Sequence, residues 1–558
     1  MAGTVRAIAV DLDGTIAQHD QVSDVALAAL KEARAGGTAA LLVTGRTLAG
    51  LDAQFAGLRA SFDVVVAENG AVLQRGNDIR DLADPLGPVL SHHLSAAGIR
   101  HVVGRVIVAC SAEDDHRVQA VLAERGLDPH LVRNRTELMI IPAGISKGTG
   151  FLAALHELGL SQHNTIAFGD AENDLSLLHT AEIGVAVANA LPSVKAFADL
   201  VADEPDGAGV AAVLRGPVVH GLRTLDLARH HIRIGEFVEG GEASVPGAQA
   251  NVLIRGESGS GKSYLAGLLV ERWIAAGYRA VIIDMEGDYV GLGQLTDVVV
   301  LSGRTSPPSR ELSALLRRAG ASVVLDLSDV PSEAVDPYLR DLATLVREER
   351  AAWGMPHWLL IDEAHDLLGS DGPLAEVVRA SDLGHCIVTY RPEALDRSIY
   401  AAIDLTLTPC RESSLSAPSE GPCAMLAGPG VDPRRIRLDH RRTRHVRHWH
   451  KYTAKVLPED HWFAFRTISG DVVAAARNVA EFVTLLRAVD PNVVALHLSR
   501  GDLSQWLLGS LGDRALASVV AAAEQDLLAA HTVAIDRARN TVIDAIERFY
   551  WFDGDRAV

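Results

Sequence analysis

Over the first 215 residues, short runs of β-branched and other apolar residues alternate with Ala/Leu-rich stretches of helical period. Val5–Val10, Ala39–Val43, Val64–Val66, Thr165–Phe168 and Ile183–Val187 read as buried strands, and the stretches between them as helices, which predicts parallel α/β architecture. ADEPDGAG, from Ala202 to Gly209, reads as a terminal loop. Residues 216–250 read as a short β-rich adaptor in which HIRIGEFVEGG turns on its glycines. A second α/β alternation follows, with strands expected at Ala250–Ile254, Ala280–Asp284, Asp297–Leu301, Ser322–Leu327, Trp358–Ile361 and Cys386–Thr389. Glu311–Arg318 and Pro337–Trp353 fill helical gaps between them. From about 446 the pattern changes: Trp462–Ile468 predicts one strand, and DVVAAARNVAEFVTLLRAV (471–489) with the long Ala/Leu/Glu/Arg tail predicts amphipathic helices. Three domains are expected, at 1–215, 216–432 and 433–558.

Composition narrows the class. A length of 558 residues suits three or four domains at roughly 150 residues each. Hydrophobic residues at 48% and charged residues at 22% exclude a mainly disordered chain. The net charge of −19 excludes a uniformly basic nucleic-acid coat while leaving room for a local basic patch. Cys110, Cys386, Cys410 and Cys423 are widely spaced without a CxxC, which argues against a structural zinc or disulfide framework and for a reducing compartment. No basic-then-apolar leader opens the sequence, and no run of about 18 apolar residues occurs, so a soluble cytoplasmic protein without a membrane partner is expected. Of 52 basic residues only six are lysine, which makes the position of each one informative.

The strand Ala7–Val10 runs into Asp11-Leu12-Asp13-Gly14-Thr15. Two carboxylates at the end of a buried strand are costly unless a cation compensates them. A second strand ends in Val43-Thr44-Gly45-Arg46, offering a hydroxyl and backbone N–H groups at a helix start. Lys147, in ISKGTG, opens a later helix and brings a point charge for phosphate. The strand Ile166–Phe168 then delivers Gly169-Asp170-Ala171-Glu172-Asn173-Asp174. In an open α/β sheet such strand ends converge on one crevice.

Over about 1–215 the sequence resembles the haloacid dehalogenase superfamily of phosphatases, with DLDGT, TGR, the lysine of SKG and GDAEND as its four motifs. Ala67-Glu68-Asn69-Gly70-Ala71 resembles the Cof-like branch with a type IIB cap between the second and third motifs, here about 77–142 and short for its type. The resemblance implies a Rossmannoid fold with a small α+β cap. It implies Asp11 as the nucleophile that forms an aspartyl-phosphate, and Asp13 as the group that protonates the leaving alkoxide and then activates water. It further implies Mg²⁺ held by Asp11, the backbone carbonyl of Asp13 and Asp170, supported by Asp174. Thr44, Gly45 and Lys147 would grip the phosphoryl group and Asn173 would help orient it.

A second motif stands at Gly256-Glu257-Ser258-Gly259-Ser260-Gly261-Lys262-Ser263, a full G-x4-G-K-[ST] between a strand and a helix. Its backbone suits wrapping of ATP phosphates, Lys262 reaches the β/γ-phosphates, and Ser263 can ligate a second Mg²⁺. One hundred residues later His357–Ile361 forms an apolar strand ending in Asp362-Glu363. Asp362 is placed to hold the Mg²⁺ hydration shell and Glu363 to polarise an attacking water. Strands between the loop and Asp362, including Ser322–Leu327, fit the ATPase division with an inserted central strand. With Asp284–Tyr289 and the strand ending Thr389-Tyr390-Arg391-Pro392, residues 220–430 resemble HerA/FtsK-type ATPases. That family usually carries Gln where Tyr390 stands. Its members form rings, which implies a homo-oligomer and a trans-acting arginine, for which Arg391, Arg434 and Arg435 are candidates.

From Pro433 to Lys455 nine basic residues face the single acid Asp439, a net of +8, with Trp449 and Tyr452 interleaved. This stretch reads either as a solvated junction or as a contact for nucleic-acid phosphates. In the helical tail, His497, Arg500 and Asp502 read as a loop-and-cap network ahead of a polar site. The expected protein is an Mg²⁺-dependent phosphatase fused to a HerA-like ATPase and closed by a helical domain. Its substrate is a phosphorylated small molecule or a nucleic-acid end. Two rival readings are a polynucleotide kinase/phosphatase-like end-healing enzyme, and a DNA-translocating ATPase whose N-terminal module only binds.

Overall fold

The computed structural model describes residues 5–134, 136–220, 225, 227–257, 260–302, 309–317, 321–379, 383–410, 422–443, 456–457, 459–511, 514–529 and 535–550. The chain forms two compact units. One comprises Met1–His231 with Leu316–Ala319 and Val346–Met355, and the other comprises the remainder. The architecture is mixed α/β with a helical C-terminal region.

An eight-stranded sheet organises the first unit, in the order Leu200–Val201, Ile183–Ala186, Thr165–Gly169, Ala7–Val10, Ala39–Val43, Val64–Ala67, Val72–Arg75, Asp78–Asp81. The first six strands run parallel and the last two turn back antiparallel. Ala7–Val10 is central and wholly buried, as a continuous apolar run sandwiched between helical layers must be. Its register pairs Val10 with Phe168 and with Leu42, so the residues just past all three strands emerge side by side at one end of the sheet. Between Leu82 and Pro142 the chain inserts a cap, with helices Gly87–Ala96 and Asp115–Arg125 on a four-stranded antiparallel sheet. Leu90, Leu94, Val118, Leu122, Leu138 and Ile140 give the cap a core of its own.

In the second unit an eleven-stranded sheet includes the series Val298–Leu301, Ser322–Asp326, Ala280–Asp284, Trp358–Ile361, His385–Thr389, Asn251–Arg255, Leu405–Pro409, all parallel. The strand between Asn251–Arg255 and the Asp362 strand is His385–Thr389, which comes later in the chain. Ser322–Asp326 instead lies beyond Ala280–Asp284 and is not the inserted central strand. Sequence order hides this, because crossover connections decouple position in a parallel sheet from position in the chain. His231–Phe237 and Glu242–Pro246, joined through Gly240 and Gly241 at positive φ, extend the sheet by pairing with Val431–Leu438.

The C-terminal region corrects one expectation. Val472–Ala476, read as helical, is a strand paired antiparallel with Phe463–Arg466, and the helix begins only at Val479. Gly470 at φ +92° supplies the turn, and Asn478 caps the helix by accepting from the Glu481 N–H. Counting that one, five helices among the described residues pack around Phe463, Phe465, Phe482 and Trp506. His497 is fully engaged in that packing: Nδ1 bonds Asp502 at 2.6 Å and Nε2 accepts the Arg466 N–H at 2.8 Å. It ties the hairpin to a helix start.

Candidate functional sites

Asp11 follows the central strand, and its N–H donates to the Phe168 carbonyl at 3.1 Å. Asp170 follows the adjacent strand, and Asp174 folds back on it by accepting the N–H groups of Asp170 and Ala171, each at 3.0 Å. Oxygens of Asp11, Asp170 and Asp174 thereby lie within 4.8 Å of one another, and all three residues are buried. Lys147, 1% exposed at the first turn of Lys147–Leu158, donates to Asp11 at 2.6 Å and to Asp174 at 2.5 Å. Ser146 caps that helix in a reciprocal box with Thr149, which fixes where the lysine starts.

One ammonium against three carboxylates leaves excess negative charge. Burial, then Asp174, pushes Asp11 well above the ordinary carboxylate range against the pull of Lys147. Burial alone would lower the Lys147 ammonium, but Asp11 and Asp174 outweigh it and hold its pKa raised. An all-oxygen donor set with that excess fits a hard divalent cation such as Mg²⁺.

The other predicted groups surround this centre. Thr44 is buried at the end of its strand, with its hydroxyl accepting the Arg46 N–H at 3.2 Å. Over Gly45 sits the cap: a Cβ there would come within 2.8 Å of Met139 Cε. Asn173 donates to Asn69 Oδ1 at 3.3 Å, and its own buried Oδ1 has no hydrogen-bond partner among the described residues. Asp13 stands apart from the buried acids, partly exposed, with both oxygens held by Arg46 at 2.7 Å.

In the second unit, Asn251–Arg255 leads to Gly256 and Glu257, and Lys262–Ala275 forms the helix beyond; Ser258 and Gly259 lie outside the described residues. Gly261 takes φ +98°, which releases the chain into the helix at Lys262. Lys262 Nζ donates to the Glu257 carbonyl at 3.0 Å and lies 5.9 Å from the centre of the Tyr390 ring. Ser260 and Ser263 flank the lysine turn. Asp362 is buried at its strand end, and burial followed by Asp288 and Asp284 raises it well above the ordinary carboxylate range. Burial, then Asp288, pushes Asp284 up to about 8. Glu363 occupies left-handed backbone at φ +47°, with its carboxylate 3.3 Å from His365 Nδ1. Tyr390 meets His365 edge-on at 4.3 Å, and Arg391 follows it on the exposed surface. Arg434 and Arg435 lie on Val431–Leu438, three strands from the loop strand, where Arg434 covers the Phe237 ring at 3.5 Å. Residues 444–455, most of the basic stretch, lie outside the described residues.

Comparison with known proteins separates the two units. The family described as haloacid dehalogenase-like hydrolase matches residues 8–86 and 130–214. A phosphoglycolate phosphatase of Methanothermobacter thermautotrophicus is 31% identical over 224 residues, covering 38% of this chain and 98% of that protein. One of Archaeoglobus fulgidus is 30% identical, covering 38% and 96%. The chain belongs to the haloacid dehalogenase-like hydrolases. Residues 248–335 match the family described as helicase HerA, central domain, so this hydrolase also carries a HerA-like ATPase domain. Among solved structures, a haloacid dehalogenase-like hydrolase from Bacteroides thetaiotaomicron is 21% identical over 38% of this chain and 98% of its own, with a TM-score of 0.34. No helix among the described residues is long and apolar enough to cross a membrane.

Several residues of this hydrolase carry structural weight that sequence reading missed. Glu68, Asn69 and Gly70 all take positive φ. The buried Glu68 carboxylate accepts the N–H groups of Arg105, Val106 and Ile107 at 2.8, 2.9 and 3.1 Å, tying the base of the cap to the core sheet. Gly70 touches the lysine helix backbone to backbone, since a Cβ there would fall 1.9 Å from the Ser146 carbonyl oxygen. Arg46 was visible as the third letter of TGR, yet its bond to Asp13 spans 33 positions and leaves no local signal.

Proposed function

We propose that this chain joins two catalytic hydrolases, with working parts at 1–215, 216–432 and 433–558 in the reducing cytoplasm. The first is an Mg²⁺-dependent phosphomonoesterase. The observation that carries this reading is the buried Lys147 ammonium bonded to both Asp11 and Asp174 at one mouth of the sheet. Asp11, Asp170 and Asp174 would hold the cation, which supplies neutralisation of the phosphoryl oxygens when bound. Asp11 attacks phosphorus, the P–O bond to the leaving group breaks, and Asp13 gives that oxygen its proton. Asp13 then takes a proton from the water that cleaves the aspartyl-phosphate to inorganic phosphate. Lys147 and Thr44 steady the phosphoryl group, and Asn173 orients it. The relatives named phosphoglycolate phosphatases make a small phosphorylated carboxylic acid the first substrate to test.

The second activity is ATP hydrolysis, with phosphates on the 256–263 loop, Mg²⁺ on Ser263 and Asp362, and Glu363 polarising water. Arg391, at the end of the strand beside the loop strand, is better placed than Arg434 or Arg435 to serve this nucleotide as a sensor. Asp11→Asn should lower phosphatase kcat by roughly 10⁴-fold or more while ATPase turnover stays. Lys262→Ala should do the reverse. Loss of both activities from either change would overturn the two-site reading. The match to a helicase family favours nucleic acid as the ATPase stimulant, which ATP hydrolysis with and without added DNA tests.

A further inference from the structure

A second cluster of ligating side chains lies in the first unit at the opposite end of its sheet from Asp11. His163 precedes the strand Thr165–Gly169, Glu182 precedes Ile183–Ala186, and His230 sits in the short 3₁₀ turn Ala228–His230 where the chain leaves this unit. One ligand atom from each lies within 4.8 Å of the other two. His163 Nδ1 is 2.7 Å and His230 Nε2 3.6 Å from Glu182 Oε2. We infer that His163, Glu182 and His230 form a zinc site that pins the connector to the phosphatase.

Three features support the assignment. Tetrahedral zinc with bonds of about 2.0–2.1 Å sets neighbouring ligand atoms about 3.3 Å apart, and the two separations bracket that value. The side chains of His163 and Glu182 are 2% and 5% exposed and that of His230 15%, so the set offers three ligands with one open side for a water. The surroundings also hold His230 in place. Arg229 donates to the carbonyls of Ala181 and Glu182 at 2.7 and 2.9 Å and pairs with Asp199 at 2.7 Å, so its charge is neutralised beside the site.

Binding balances without net loss of protons from the imidazoles. His163 now donates Nδ1–H to Glu182, and His230 donates Nε2–H to the Glu182 carbonyl at 3.1 Å. Each ring shifts its proton to its other nitrogen and presents the freed lone pair. For His163 that moves the N–H toward the Gln162 amide, 3.5 Å from Nε2, whose oxygen accepts after an amide flip. The cysteine spacing argued against a zinc framework, and no cysteine takes part here.

The test uses full-length protein stripped with a chelator. Titrated with Co²⁺, it should take up one equivalent with a d–d band of tetrahedral strength, displaced by Zn²⁺. The Glu182→Gln, His163→Ala and His230→Asn chains should lose that band or bind at least about tenfold more weakly, while Asp11→Asn keeps it. Zn²⁺ should raise the melting temperature of the unsubstituted chain and leave that of His230→Asn unmoved. A band that survives all three substitutions, or the absence of tetrahedral uptake by the parent chain, overturns the site. Should the two buried-residue variants fail to fold, His230→Asn decides alone: unchanged Co²⁺ affinity refutes the assignment.

Discussion

Two of the six lysines, Lys147 and Lys262, are buried within the motifs proposed to meet phosphate, and their surroundings differ. Lys147 is bonded to two side-chain carboxylates from different strand ends. Lys262 is bonded to the backbone of its own loop, while at neighbouring strand ends burial, followed by Asp288, raises both Asp284 and Asp362. The phosphatase crevice thus keeps its cation and anions together as part of the folded core. In the second unit the raised acids Asp284 and Asp362 are themselves buried at neighbouring strand ends. A hydrolase that works on small phosphate esters gains from a preset crevice, because positioning is most of its catalysis.

The largest expected effect separates the two lysines directly. Lys147→Met strands Asp11 and Asp174 in a buried site and should destabilise the first unit by about 3–5 kcal/mol. Lys262→Ala takes away the bond to the Glu257 carbonyl and should cost less, about 1 kcal/mol. Urea melts of the two variants check this, and equal losses would erase the contrast. Next, Arg46→Lys keeps the charge but gives up the two-pronged grip on Asp13, and should lower phosphatase kcat roughly tenfold with KM little changed. Unchanged kcat would show that Asp13 needs no such grip.

The smallest effect concerns pH. Asp284, raised to about 8 by burial and then Asp288, binds a proton in the folded state that the unfolded chain releases near the ordinary carboxylate value. Its contribution is complete below that ordinary value and drains away as pH rises through about 8. Between pH 6.5 and 7.5 Asp284 should take about 1 kcal/mol from the metal-free second unit, and Asp284→Asn should lessen the dependence, leaving the share of Asp362.

Much of this was legible from the chain because strand ends in parallel sheets carry their chemistry next to buried apolar runs. AIAV before Asp11, TIAFG before Asp170 and NVLIR before the phosphate loop are such pairs. Val472–Ala476 was misread because an alanine-rich strand on a two-stranded ribbon lacks a period that distinguishes it from a helix. The central placement of His385–Thr389 was hidden by crossovers. Glu68 was opaque for another reason: its partners are backbone N–H groups, which every sequence contains. The grouping of His163, Glu182 and His230 spans 67 positions and exists only in three dimensions.

Gly70 brings the turn before the cap and the first turn of the lysine helix into backbone contact, and Gly150 presses on the same spot, where an added Cβ would lie 2.6 Å from the Gly70 Cα. That junction acts as a bearing. Because that contact is backbone to backbone and lies before the insertion, changes in the length of the cap are expected to leave the start of the lysine helix in place. Recognition, carried by the cap, and reaction, carried by the strand ends, are thereby mechanically separable at this junction, and a cap exchanged at Leu82 and Pro142 is expected to leave the Lys147–Asp11 pair in place.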